Sequence, residues 1–224
     1  MSPGPLPAPP TNFAGIRVAL TDFDGPLFRS HGIRRSPIYY GTTGRFRFDA
    51  PDGSYGVLYA GVDSYTAFIE SLLKNADNRV ITTSALKETA LARLKANRPL
   101  HLIDLSLSGA LVRIGADSRL FSADRNVARL WSKALHDHPA GLDGIRYPSR
   151  LDPARQSVAI FGDRKLKLVE LDRQSWYAPG AQRELLGKIA EHYEIELIET
   201  RLVAPRKPIG TAATPGLLFN RNEP

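Results

Sequence analysis

Between residues 57 and 73 the chain passes from a short apolar run into a segment of a different period. Val57–Val62 (VLYAGV) has the composition and length of a buried strand. Asp63 then stands where an N-cap belongs, and Tyr65, Phe68, Ile69 and Leu72-Leu73 recur at the spacing of one helix face. A strand that turns directly into an amphipathic helix commits the chain to a mixed architecture, with helices packed on a sheet. Other segments agree. Residues 16–20, 79–84, 100–105, 157–161 and 195–199 read as strands, while 85–96, 122–138 and 180–193 read as helices. Residues 25–50 alternate glycine, proline, arginine and aromatic residues, as strands joined by irregular loops do. The reading is a single α+β domain over residues 16–204. A proline-rich disordered arm precedes it at 1–15, and an extended tail follows at 205–224.

Composition excludes several classes. At 224 residues, with 42% apolar and 24% charged, the chain can bury a core of ordinary size. No apolar run is long enough to span a membrane and no signal peptide is visible, so a cytoplasmic location is expected. The absence of cysteine rules out disulfides and thiolate metal sites. The net charge of +7 and pI near 9.8 favour anionic partners. No nucleic-acid-binding signature accompanies the charge, and direct nucleic-acid binding is not expected.

Glu70 is the acid that stands out. It lies between Ile69 and Leu72-Leu73, near the apolar side of its helix, where a carboxylate is costly unless it is paired or used. Upstream, Phe28-Arg29, Gly44-Arg45-Phe46 and Tyr59 place arginines among aromatic residues and glycines, surroundings that suit stacking a flat ring and gripping phosphate. A competing motif is Asp22-Phe-Asp24-Gly25 at the end of an apolar run, which resembles the first motif of haloacid-dehalogenase-type magnesium phosphatases. Ile81-Thr82-Thr83-Ser84 and Phe161-Gly162-Asp163 could pose as later motifs. After Asp163, however, come Arg164, Lys165 and Lys167, where magnesium needs a carboxylate. Asp-Gly-Pro at 24–26 is also plain turn chemistry. His136-x-His138 has no supporting ligands, and no metal site is expected.

The ordered set from Phe28 to Phe161 resembles the RES-domain family, toxins of RES–Xre toxin–antitoxin pairs. It comprises Phe28-Arg29, Gly44-Arg45-Phe46, Val57-Leu58-Tyr59-Ala60, Ala67-x-x-Glu70, Trp131–His136, Asp143–Arg150 and Val158–Phe161, and it covers roughly residues 25–200. The resemblance implies an ADP-ribosyltransferase-like fold with a split β-sheet core and surrounding helices. It also implies a reaction that breaks the nicotinamide–ribose bond of NAD, depleting NAD and arresting growth, with NAD as substrate and no metal. Arg29 and Arg45 would hold the phosphates or the nicotinamide ribose, Tyr59 would stack on or orient the nicotinamide, Glu70 would face the ribose, and Ser149 would complete the pocket. The Gly-x-Gly-x-x-Gly of a Rossmann helix is not required by such a site. The acceptor is open between water, inorganic phosphate and a target protein. The implied partner is an Xre-type antitoxin that blocks the active site in a hetero-oligomer. Two alternatives stand beside this reading: the phosphatase using Asp22 and Asp24, and a partner-binding module without catalysis.

Overall fold

The computed structural model describes residues 4–199 apart from 74–76, 78 and 123. Its centre is a mixed eight-stranded sheet in the order β1-β6-β7-β8-β3-β2-β5-β9. In chain order the strands are β1 (Leu20–Phe23), β2 (Leu27–Gly32), β3 (Val57–Gly61), β4 (Val80–Thr82), β5 (Thr89–Ala96), β6 (Leu100–Asp104), β7 (Gly144–Pro148), β8 (Gln156–Phe161), β9 (Leu168–Ser175) and β10 (Glu196–Ile198). β6 and β7 run parallel and the other neighbours in the large sheet run antiparallel. β4 and β10 form a separate parallel pair. The helices are α1 (Ser64–Leu72), α2 (Thr83–Lys87), α3 (Ala110–Ile114), α4 (Arg125–His136) and α5 (Ala181–His192).

The sheet is strongly coiled. β5 and β6 lie five places apart in the strand order, which on a flat sheet is roughly 24 Å. Only residues 97–99 join them, a reach of about 15 Å. The sheet therefore wraps, and Leu27, Leu58, Leu94, Leu100, Leu102 and Ile160 from five strands meet in one apolar cluster. A second cluster packs α4 with Phe48, Ile145 and Phe161, and a third packs α1 and α5 around Phe68 and Trp176.

At one place the sheet is all but divided. β2 and β3 share a single residue pair, Phe28 with Gly61, whereas β3 and β8 pair along their full length. Beyond Gly61 the chain turns straight into α1. Asp63 caps the helix as its residue type predicts, its Oδ1 accepting from Thr66 N at 2.7 Å. Gly61 allows the helix to start this close to the strand, since a Cβ there would lie 2.8 Å from both Asp63 O and Ala67 N.

The structure departs from the expectations in several places. Residues 85–96 are not one helix: α2 ends at Lys87 and β5 occupies Thr89–Ala96. Alanine and leucine favour helix intrinsically, but Ala90, Leu91, Ala92 and Leu94 are buried between β2 and β9, and tertiary packing overrides propensity. The strand expected at 16–20 begins only at Leu20. The proline-rich segment expected to be a disordered arm is packed from residue 4 on. Leu6 and Phe13 are buried, Phe13 meets Trp131 edge-on at 5.5 Å, and Trp131 Nε1 donates to Pro7 O at 2.8 Å. Two apolar anchors and the indole N–H bonded to Pro7 O outweigh the segment's composition. Residues 200–204 and the tail expected at 205–224 lie outside the described residues. Among the described residues no helix is long and apolar enough to cross a membrane.

Candidate active site

A cavity of about 540 Å3 opens where β2 and β3 part. β2 contributes Phe28, Arg29 and Ser30, β3 contributes Val57, Tyr59, Ala60 and Gly61, and α1 contributes Ala67, Glu70 and Ser71. Tyr147, Pro148 and Arg150 close it from the β7 side, and Tyr39, Phe46 and Arg47 from the irregular segment after β2. The lining holds five arginines (Arg29, Arg35, Arg47, Arg125 and Arg150) and one carboxylate, Glu70. Its charge balance therefore favours an anion with several oxygens.

The Glu70 side chain is accessible and held. Its Oε1 accepts from Ser149 Oγ at 2.5 Å and from Arg150 N at 3.0 Å. Both donors are neutral, so the carboxylate is oriented by hydrogen bonds to a hydroxyl and a peptide amide. Ser149 is buried, with 1% of its surface exposed, and acts behind the glutamate rather than on the cavity wall.

Arg29 lies partly buried on β2, where its Nη1 donates to Tyr39 O at 2.9 Å. Burial lowers its pKa, partly offset by Tyr40 and Tyr39. Tyr59 is held at its hydroxyl, which donates to Asp49 Oδ1 at 2.9 Å and accepts from Phe48 N at 3.0 Å. Its ring lies 5.3 Å from that of Phe46 at a tilt of 51°. Burial drives the phenol well above its ordinary pKa, with Tyr147 and Asp49 adding to the shift, so Tyr59 is a neutral donor at physiological pH. Burial, and then the Glu70 carboxylate, push the Tyr147 phenol the same way.

The structure thus brings Arg29, Tyr59 and Glu70 to one cavity, with Ser149 on Glu70. Arg45 is not brought there. It is exposed, its N donates to Asp49 Oδ2 at 2.9 Å, and its O accepts from Arg125. The arginine on the wall is Arg47, whose Nη1 donates to Leu120 O at 3.2 Å. Burial and then Arg125 lower its pKa. Asp49, absent from the sequence reading, organises this loop: 1% exposed, it accepts from Arg45 N, Phe46 N and Tyr59 OH. The turn-forming run Asp49-Ala50-Pro51-Asp52-Gly53 is the signal that marks it.

The acids of the phosphatase motif are elsewhere. Asp22 sits on edge strand β1, bonded to His101 at 2.6 Å, and Asp24 pairs with Lys95 at 2.8 Å. Asp163 pairs with His136. None lines the cleft, and no group of three His, Asp or Glu side chains placed to hold a metal is assembled among the described residues.

Comparison with known proteins places the fold and the family. A curated relative described as "Probable toxin y4kH", from Sinorhizobium fredii, is 38% identical over 119 residues, which is 53% of this chain and 90% of the relative. A chain in the crystal structure of the M. tuberculosis MbcT–MbcA toxin–antitoxin complex superposes with a TM-score of 0.55 at 15% identity, covering 75% of this chain and 92% of that one. At that identity the likeness speaks for the fold. Residues 26–183 match the RES domain, and with that span holding β2, β3, α1 and the Glu70–Ser149 pair, the chain belongs to the RES domain family.

Proposed function

We propose that this chain is the toxin of a toxin–antitoxin pair and that it cleaves the nicotinamide–ribose bond of NAD. The observation that carries the reading is the setting of Glu70: one carboxylate, oriented by Ser149 Oγ–H and the Arg150 amide, on the wall of a cleft that also holds five arginines and several aromatic side chains. Breaking that bond develops positive charge on the ribose, as glycoside cleavage does. A carboxylate already fixed in place favours that charge more than it favours the ground state. The leaving nicotinamide is neutral, so a second carboxyl acting as general acid is not required. Arg29, Arg47 and their neighbours supply planar donors for the pyrophosphate. The exposed rings of Tyr39 and Phe46 offer flat apolar surface at the same cleft.

The description of the Sinorhizobium relative as a probable toxin and the toxin–antitoxin complex formed by the structural neighbour support the toxin assignment. We assign the chain an antitoxin partner of Xre type that covers the cleft, and a cytoplasmic site of action where NAD is abundant. Loss of NAD would then arrest growth. The acceptor is water, inorganic phosphate or a protein side chain.

The test is to incubate purified protein with NAD, with and without phosphate, and to quantify nicotinamide and identify the ribosyl product by mass. Nicotinamide release that Glu70→Gln abolishes supports the reading, and release that survives this substitution sinks it.

A further inference from the structure

Glu70 and the groups that hold it arrive on separate pieces of chain. The carboxylate rides on α1, while Ser149 and Arg150 belong to the turn between β7 and β8, 79 and 80 positions further on. One side chain ties the two carriers together. Arg155 Nη1 donates to Asp63 Oδ2 at 3.0 Å, and Asp63 is the residue whose other oxygen caps α1. Arg155 Nε donates to Asp152 Oδ2 at 3.1 Å, and Asp152 N in turn donates to Ser149 Oγ at 3.4 Å. The guanidinium also lies over the ring of Tyr65, on α1, at 4.2 Å.

The backbone of Arg155 closes the same turn: its O accepts from Ser149 N at 2.8 Å and its N donates to Asp152 O at 2.9 Å. Asp152 is steadied from a third side by Tyr193 OH at 2.8 Å. Arg155 itself does not line the cleft.

We infer that Arg155 is a positioning residue, which locks the start of α1 to the 149–155 turn and thereby sets the Glu70 carboxylate for the reaction proposed above, on which its catalytic effect rests. The chemistry requires arginine. A planar fork reaches two carboxylates in different directions at once, while a lysine reaches one of them well. The pair Arg155–Asp63 is only partly exposed, with side-chain exposures of 24% and 35%, so solvent screens it less than a surface pair. The neighbouring Asp63 helps hold the guanidinium pKa above its ordinary value against the lowering effect of burial.

The test compares wild type with Arg155→Met, Arg155→Lys, Ser149→Ala and the double variant Arg155→Met/Ser149→Ala, in two readouts. In nicotinamide release, Arg155→Met is expected to lower kcat by ten- to about a hundredfold, a range typical of a misplaced catalytic group. KM should stay within about twofold, because the arginines of the cleft are untouched. Arg155→Lys should recover part of the loss, and the double variant should lose no more than its more damaged parent. Losses that multiply in the double variant, or a fall in Tm with kcat per folded molecule unchanged, would overturn the proposal.

The second readout needs no substrate. The Arg150 amide, which donates to Glu70, is followed by NMR for hydrogen exchange and for its shift with pH. Loss of its protection in Arg155→Met and partial return in Arg155→Lys support the brace, while protection unchanged in both variants overturns it. If the NAD reaction itself fails, the wild type releases no nicotinamide or Glu70→Gln still releases it, and this amide still decides the inference.

Discussion

Two acidic regions of this molecule use the same functional group in opposite ways. At the parting of β2 and β3, Glu70 is bonded to a hydroxyl and an amide and faces a cavity lined by arginines. On edge strand β1 and just beyond it, Asp22 and Asp24 are bonded to the side chains of His101 and Lys95 and face solvent. Asp143 takes the edge's chemistry to its limit. It is 2% exposed and receives two bonds from Arg98, at 2.6 and 2.8 Å, and one from His101 N. Asp24 and Asp143, satisfied by the cations of Lys95 and Arg98, contribute structure, whereas Glu70, oriented by neutral donors and open to the cleft, keeps its charge for a ligand. Among the exposed acids the difference lies in the donors, since Glu70, Asp22 and Asp24 are all exposed.

The sharpest way to break the contrast is to neutralise each side. Glu70→Gln should cut nicotinamide release by about a hundredfold or more, the scale of losing a transition-state electrostatic partner. Asp22→Asn combined with Asp24→Asn should change it by less than about twofold. Equal losses in one steady-state assay would erase the distinction. A second contrast lies within Arg45-Phe46-Arg47. Arg47→Ala should raise KM for NAD about tenfold, consistent with one lost charge-assisted bond, while Arg45→Ala should leave it nearly unchanged. The reverse order would restore Arg45 to the site.

Stability effects come next. Tyr59→Phe strips a donor from Asp49 and an acceptor from Phe48 N, and should cost about 1–3 kcal/mol in urea unfolding. In a domain of this size each kcal/mol is about 2–4 °C in Tm. The smallest effect is a pH dependence. Burial acts to raise the Asp143 pKa, but the bonds from Arg98 and His101 N outweigh it and the net shift is downward. A depressed carboxylate stabilises the fold above its unfolded value near pH 3.9, and that stability is lost as pH falls through the lower folded value. Wild type should therefore lose more stability than Asp143→Asn on acidification below about pH 4, as read by urea midpoints. Parallel curves would show that the pair contributes nothing.

The strand–cap–helix unit around Asp63 was legible because it is local. An apolar run, a capping acid and a helical period are all written within 17 consecutive residues. The clustering of Arg29, Tyr59 and Glu70 was legible through the family resemblance. What the sequence could not show was set by long-range packing. β5 is built from helix-favouring residues that form a strand because β2 and β9 pair along its two edges and Ala90, Leu91, Ala92 and Leu94 are buried. β9 is an edge strand whose residues after Leu168 are largely exposed, leaving little apolar period to read. In Arg45-Phe46-Arg47 the chain follows neither period, and the Asp49 carboxylate, by binding two successive amides, accompanies a turn that places Arg47 on the cleft. The packing of Leu6 and Phe13 was hidden by prolines that signal disorder on composition alone.

The separation between Glu70 and the turn that holds it also sets an order in time. During synthesis α1 is complete once residue 72 has left the ribosome, but Ser149 and Arg150 follow only 79 and 80 residues after Glu70. At ordinary translation rates of about 5–20 residues per second that interval is roughly 4–16 s. The cleft cannot take its final form on a chain that ends before the 149–155 turn, so an interrupted message yields fragments with the glutamate but without its grip. Under the proposed function, a chain that stops before the turn should release no nicotinamide, because Ser149 and Arg150 are missing from it.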